Sequence, residues 1–173
     1  MEQPRLSLTE HAVLGLLAER PAHGFAISRE LAPHGPVGRI LTVRRPLVYR
    51  ALDRLVEAGL AVPKQTEPGD SGPQRVIHRV TPGGRRLLRR WLDEPVRHVR
   101  EIRIEFQLKL VLLDRSGLTP LPLIAAQQEV LAPTLAALDS LVEDTPDHVE
   151  LWRQYNAQAA AAYLEHLAVS LSP

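Results

Sequence analysis

Between residues 43 and 60, in the stretch VRRPLVYRALDRLVEAGL, Leu47, Val48, Ala51, Leu52, Leu55 and Val56 recur at three- and four-residue spacing. This spacing predicts a helix that buries one side and carries Arg50, Asp53, Arg54 and Glu57 on the other. Pro46, which has no N–H to lose and a fixed φ, suits its first turn, and Gly59 stops it. Upstream, Ser7 and Glu10 form a capping box ahead of Leu8, Ala12, Val13, Leu16 and Leu17, so a first helix runs to about Arg20 and Pro21. A second runs from Gly24 to Leu31, with Phe25, Ala26, Ile27 and Leu31 apolar, and Pro33 closes it before a Gly/Pro-rich connector at 32–41. Three short helices in this order are the pattern of a helix-turn-helix bundle. Past Gly59 the period falls to two. Residues 61–67 and 74–80 read as strands, the second with Arg75, Ile77 and Arg79 on one face and Val76, His78 and Val80 on the other, joined by turn residues at 68–73. A hairpin behind three helices is a wing.

The second half is helical in pattern. From Thr81 a helix sets Arg85, Arg86, Arg89 and Arg90 against Leu87, Leu88, Trp91 and Leu92; a solvated face explains the four arginines better than a second DNA footprint. Residues 94–100, with Pro95, read as a linker. Residues 104–113 are nearly continuous apolar sequence broken by Glu105, Gln107 and Lys109, which predicts a helix buried on most sides. Ile124, Leu131, Leu135, Leu138 and Val142 then fall at seam spacing with Gln128 as the polar member, and Trp152, Tyr155, Ala159, Ala162 and Tyr163 repeat the idea at 147–167. Alanines 159–162 allow close helix approach. These helices have too little bulk beneath them to bury both faces, so a partner chain is expected.

Charge sharpens this division. The 173 residues carry a net +1, but 1–93 hold 15 Lys and Arg against 9 Asp and Glu, a net +6, while 94–173 hold 6 against 11, a net −5. Only the first half attracts a polyanion. There is no cysteine, so no disulfide framework or thiolate metal site exists, which fits a reducing compartment. No run approaches the ~20 apolar residues of a membrane span, and the chain reads as soluble and cytoplasmic.

Arg44 and Arg45 sit at a helix N-terminus, where cations oppose the helix dipole unless an outside anion such as phosphate joins them. The functional reading is a recognition helix entering a DNA major groove by that end; the alternative is an amphipathic surface helix with solvated arginines. Lys64 and Arg75, with Arg79 beside them, flank the wing turn and are placed for phosphate contact, against a hairpin that merely covers the helical core. Trp91 and Trp152 are the only tryptophans; they are candidates for stacking on a flat apolar effector, against the more ordinary role of core residues. No catalytic constellation emerges. The seven histidines are scattered, no Gly-rich phosphate loop follows a strand, and His148 with Glu150 or His166 with Glu165 read as solvated surface rather than metal ligands. The expectation is a non-enzyme without cofactor or metal.

LTEHAVLGLLAERPAHGFAISREL, then PLVYRALDRLVEAGL, then a hairpin ending RVTPGG, resembles the PadR family of winged-helix transcriptional regulators over about residues 6–93. His23-Gly24-Phe25, Tyr49 with Leu52 and Leu55, and Thr81 with Gly84 carry the likeness. The RIEFQLKLVLL stretch resembles the C-terminal helical domain with which the virulence-activator-like subgroup dimerises. The resemblance implies a dimeric regulator, usually a repressor, whose third helix and wing bind operator DNA, with Tyr49 at the DNA backbone. His78 stands where the family commonly has an aromatic residue, and Pro46 replaces the usual small one. The expected fold is mainly α with a small β-hairpin wing: a winged helix-turn-helix DNA-binding domain at 1–93 and a helical dimerisation domain at 94–173. The expected DNA contacts are Arg44, Arg45, Tyr49, Arg50, Arg54, Lys64 and Arg75, on a palindromic operator bound by a homodimer and released by a small apolar effector at Trp91 and Trp152. The rival reading is a winged-helix protein-interaction module that never touches nucleic acid.

Overall fold

The computed structural model of the chain describes residues 4–67, 75–139 and 147–171. It is mainly α-helical with one small antiparallel sheet, and it divides into two compact units, Met1–Trp91 and Leu92–Pro173.

In the first unit, helix α1 (Leu8–Glu19) opens on the expected capping box: the Glu10 N–H donates to Ser7 Oγ at 3.3 Å, and the Ser7 N–H donates to Glu10 Oε2 at 2.6 Å. From Ala12 to Leu17 the helix is apolar all round, so it lies inside the unit, with residues 10–17 buried. Helix α2 (Gly24–Glu30) starts at His23, whose Nδ1 accepts the Ala26 N–H at 3.0 Å. The connector behind it is more than a spacer. Val37 and Val43 are core residues, and Gly38 turns so tightly that a Cβ there would meet the Ala32 carbonyl. Helix α3 (Arg45–Glu57) buries Val48, Ala51, Leu52 and Leu55 and packs on α1 and α2. Its end is a Schellman turn: Gly59 takes φ +66°, the Leu60 N–H donates to Leu55 O at 2.9 Å, and the Gly59 N–H donates to Val56 O at 2.9 Å.

Three strands follow the order β1-β3-β2: β1 (Ala22–His23), β2 (Ala61–Glu67) and β3 (Arg75–Val80). The two-residue β1, which pairs Ala22 with His78 and His23 with Ile77, is too short to leave a periodic trace in sequence. Strict alternation in β3 also fails, because Ile77 and Val80 are both buried although two-residue spacing assigns them opposite faces. β3 is the central strand, its edges paired by β1 and β2, and α1 and α2 also pack against it. Lys64 is the extra residue of a bulge between the pairs Pro63–His78 and Gln65–Ile77, and Pro63, lacking an N–H, is tolerated on an edge strand. The expected turn at 68–73 lies outside the described residues.

Helix α4 (Pro82–Asp93) is fastened at its start. Thr81 Oγ1 accepts the Gly84 N–H at 3.0 Å and donates to Gly59 O at 2.9 Å, and Gly84 lies so close to the Leu60 carbonyl that a Cβ would collide with it. The Thr81-x-x-Gly84 motif thus docks α4 onto the end of α3. Arg85, Arg86, Arg89 and Arg90 are all exposed, and Arg85 Nη1 donates to Ala18 O at 3.0 Å in the last turn of α1, where a cation complements the helix dipole.

The second unit holds a 3-10 helix (Val99–Arg103), α5 (Glu105–Arg115), α6 (Leu121–Asp139) and α7 (His148–Leu171). Residues 94–100, expected as a linker, are instead anchored in this unit through Val96. Val96 is 3% exposed, and both its backbone groups are clamped by fully buried Gln127: the Val96 N–H donates to Oε1 and Nε2 donates to the Val96 O, each at 2.8 Å. The buried polar position on α6 is therefore Gln127 rather than Gln128. Lys109 on α5 is 1% exposed, its Nζ donating to Glu94 O at 2.6 Å and lying 3.2 Å from Glu105 Oε1. Burial holds its pKa below the usual lysine value, Glu105 pulling most strongly the other way. The Gln107 amide and Tyr163 hydroxyl tie α5 to α7. On α7 the expected seam is reversed: Ala157, Ala160 and Leu164 are buried, whereas Trp152 is 70% and Tyr155 63% exposed and Ala159 and Ala162 face outward. Alanines let α7 lie close to α6, so the bulky residues fall outside. Val142 lies outside the described residues, and no described helix is long and apolar enough to cross a membrane.

Candidate nucleic-acid interface

Arg44 caps α3 in extended conformation without a side-chain cap bond, and the first turn holds no acidic residue, so the positive end of the helix dipole and two guanidinium groups share one place. Arg45 is held there by aromatic faces. Its guanidinium lies 5.2 Å from the ring centre of Phe25 and 5.6 Å from that of Tyr49. On the wing side, the Arg75 guanidinium lies 5.8 Å from the same Phe25 ring, and His23 stacks on Phe25 at 6.3 Å. A guanidinium lying over a ring keeps its N–H edge available for phosphate or base. Gly24 makes the cluster possible, since a Cβ there would stand 2.7 Å from Tyr49 Cε1.

The α2 start, the α3 start and the wing strand are thus joined through one exposed aromatic side chain. Phe25 and His23 were missing from the expected contacts, although the His23-Gly24-Phe25 motif was visible as sequence. Arg50 is exposed on α3, and Lys64 is exposed on the β2 bulge. Arg54 also serves the fold: its side chain is 64% exposed, while its Nη1 lies 3.2 Å from Oε1 of Glu10, a carboxylate with 5% side-chain exposure. Asp53 and Glu57 are the exposed acids of the same helix.

His78, in the middle of β3, titrates below the usual 6.5 because burial removes its water, with the Val76 backbone and then the Asp53 carboxylate pulling upward. The folded unit keeps His78 neutral where the unfolded chain protonates it. Its contribution to stability is therefore complete above pH 6.5 and is lost as the pH falls from there toward the depressed folded value. Melting scans between about pH 7 and about pH 5 are expected to show a larger acid loss for the native chain than for His78→Phe. Equal losses would exonerate His78.

The two tryptophans have separate surroundings. Trp91, in the first unit, stacks on buried His11 with ring centres 4.1 Å apart and planes 14° from parallel, and His11 Nδ1 lies 3.1 Å from Ser7 O. Trp152, in the second, stands at a cavity of about 690 Å³. Four of the residues lining it are arginines: Arg97, Arg100, Arg103 and Arg153. Among the described residues no three His, Cys, Asp or Glu side chains group as metal ligands; Glu150 pairs with Arg153 at 3.0 Å, and His166 Nε2 lies 3.3 Å from Ser170 Oγ.

Residues 13–90 match the Transcriptional regulator PadR-like family. They form a PadR-like domain. It takes in α1 from Val13, the aromatic and cationic cluster, both long strands of the wing and most of α4. In fold, the chain is similar to the crystal structure of Bacillus subtilis PadR in complex with operator DNA, at TM-score 0.50 and 18% identity over 96% of this chain and 100% of that one. It is also similar to smu.1604c from Streptococcus mutans UA159, at TM-score 0.45 and 15% identity over 94% and 95% of the two chains. No curated protein matches the sequence. The PadR-like domain is that of a family of transcriptional regulators, and Arg45, Phe25, Tyr49 and Arg75 all fall inside it.

Proposed function

We propose that the chain is a cytoplasmic homodimeric transcriptional regulator that binds a palindromic operator through its domain at 1–93 and dimerises through that at 94–173. The observation that carries this reading is the Phe25 ring, on which a cation of the recognition helix and a cation of the wing both rest. A duplex that takes the Arg44–Arg45 end of α3 into its major groove meets the wing on its backbone, which divides the contacts into base readout and phosphate positioning. Bacillus subtilis PadR was solved with operator DNA, which supports the same partner here. Among the described residues, half of the exposed large hydrophobic ones lie on α7, and Leu151, Tyr155, Ala162 and Val169 line up along its outward side at four- and seven-residue intervals. A strip of this kind is suited to its copy on a second chain. A dimer seated on an operator excludes other proteins from those base pairs, so repression is the simplest outcome. Release by an effector needs different ligand affinities for the free and DNA-bound states. Trp152 is the tryptophan open to such a ligand, while Trp91 is engaged by His11.

The test is the salt dependence of duplex binding together with sedimentation of the free protein. A dimer and a steep loss of affinity with salt are expected. Lys64→Ala and Arg75→Ala should each weaken binding to all sequences alike and lower the slope of log affinity against log salt by about one. A changed base preference at constant slope would reassign them to base readout. Absence of any duplex binding at low salt would sink the DNA reading in favour of a protein-interaction module.

A further inference from the structure

The second unit is acidic, yet four of its six cations line a single cavity: Arg97, Arg100, Arg103 and Arg153. Lys109, a fifth, is engaged in the core. Among the described residues Arg153 shares its charge with Glu150, while Arg97, Arg100 and Arg103 make no ion pair. Arg100 and Arg103 share one side of the 3-10 helix Val99–Arg103, where side chains three apart eclipse one another, and Arg97 reaches the same cavity from just ahead of the extended cap residue His98. Their backbone is braced twice: Glu101 Oε2 accepts the N–H groups of Arg97 at 3.1 Å and His98 at 3.0 Å, and Gln127 clamps Val96 next to them. Across the cavity α7 presents the exposed indole of Trp152 and the side chain of Asn156, whose Nδ2 donates to Trp152 O at 2.7 Å. Thr134 of α6 adds a hydroxyl.

Three unneutralised guanidinium groups lining one cavity repel one another unless an anion joins them. A single carboxylate would offset one. The cavity, about 690 Å³, falls within the range of small-molecule sites. We propose that it binds a nucleoside di- or triphosphate, the base against Trp152 and the phosphates along Arg97, Arg100 and Arg103. Arginine forks grip phosphate oxygens in bidentate fashion, and an exposed indole is a stacking platform for any base. The site lies within one unit and on the flank of α7 beside the outward strip, so the proposal does not rest on operator binding, and its test contains no DNA.

The full chain is titrated with ATP in magnesium-free, low-salt buffer by calorimetry. Adenosine, inorganic tripolyphosphate and benzoate are titrated alongside it. ATP is expected to bind at least tenfold more tightly than each of these, and to quench tryptophan fluorescence. Arg100→Gln, Arg103→Gln and Trp152→Leu should each weaken ATP by about tenfold with unchanged circular dichroism, as expected for exposed side chains. Absence of binding overturns the proposal. Equal affinity for adenosine or benzoate overturns the polyphosphate assignment, and equal affinity for tripolyphosphate overturns the stacked base. A loss in Arg45→Gln as large as that in Arg100→Gln would move the binding to the basic first unit and overturn the site.

Discussion

Arg45→Ala is expected to weaken binding to the operator by about tenfold to a hundredfold while barely moving the melting temperature. A guanidinium lost from a base or phosphate contact costs roughly 1–3 kcal/mol of binding. Its two ring contacts are at the surface, where such interactions contribute only about 0.5–1 kcal/mol to the folded state. Tyr49→Phe keeps the ring beneath Arg45 and removes only the hydroxyl, so it should lose DNA affinity with no change in melting. Arg54→Ala should do the reverse. It removes the cationic partner of the buried Glu10 carboxylate, which keeps only its Ser7 hydrogen bonds, lowering stability while leaving duplex affinity nearly intact. Titration of labelled operator, paired with melting scans, separates the three. Unaltered affinity in both the Arg45 and Tyr49 variants would sink the recognition-helix assignment.

Gln127→Leu should cost the second unit about 2–6 kcal/mol, the largest stability loss expected of any single change here. One side chain satisfies both the N–H and the C=O of Val96 where water has no access, and each orphaned group costs about 1–3 kcal/mol. Leucine nearly conserves volume, so the loss would measure hydrogen bonding rather than a cavity. Denaturant unfolding gives the magnitude, and amide exchange at Val96, slow in the native chain, should become fast in the variant. A loss under about 1 kcal/mol would show that Val96 finds other partners.

What the sequence disclosed was mostly local. Ser7 with Glu10, Pro46, Gly59 and the α3 stripe depend on neighbours within a few residues, so spacing alone places them. Val37 and Val43 were hidden in a Gly/Pro-rich connector because their burial comes from the helices folded around them. The pairing of Arg54 with Glu10 was hidden because the two lie more than forty residues apart in the chain. Gln127 and Gln128 are indistinguishable until α6 is rotated against Val96. On α7, apolar residues surround the helix, and periodicity could not say whether aromatics or alanines would face inward. Arg97, Arg100 and Arg103 fell in a stretch that read as a linker, so nothing local showed that they would line one cavity.

Phe25 has one more consequence. A free arginine samples many rotamers, and fixing both its side chain and a second one costs on the order of 2 kcal/mol of entropy each. Because Arg45 and Arg75 lean on one ring, part of that ordering is already complete when the chain folds. In the proposed complex a duplex would thus meet two cations biased toward a shared aromatic anchor rather than two independent searching arms.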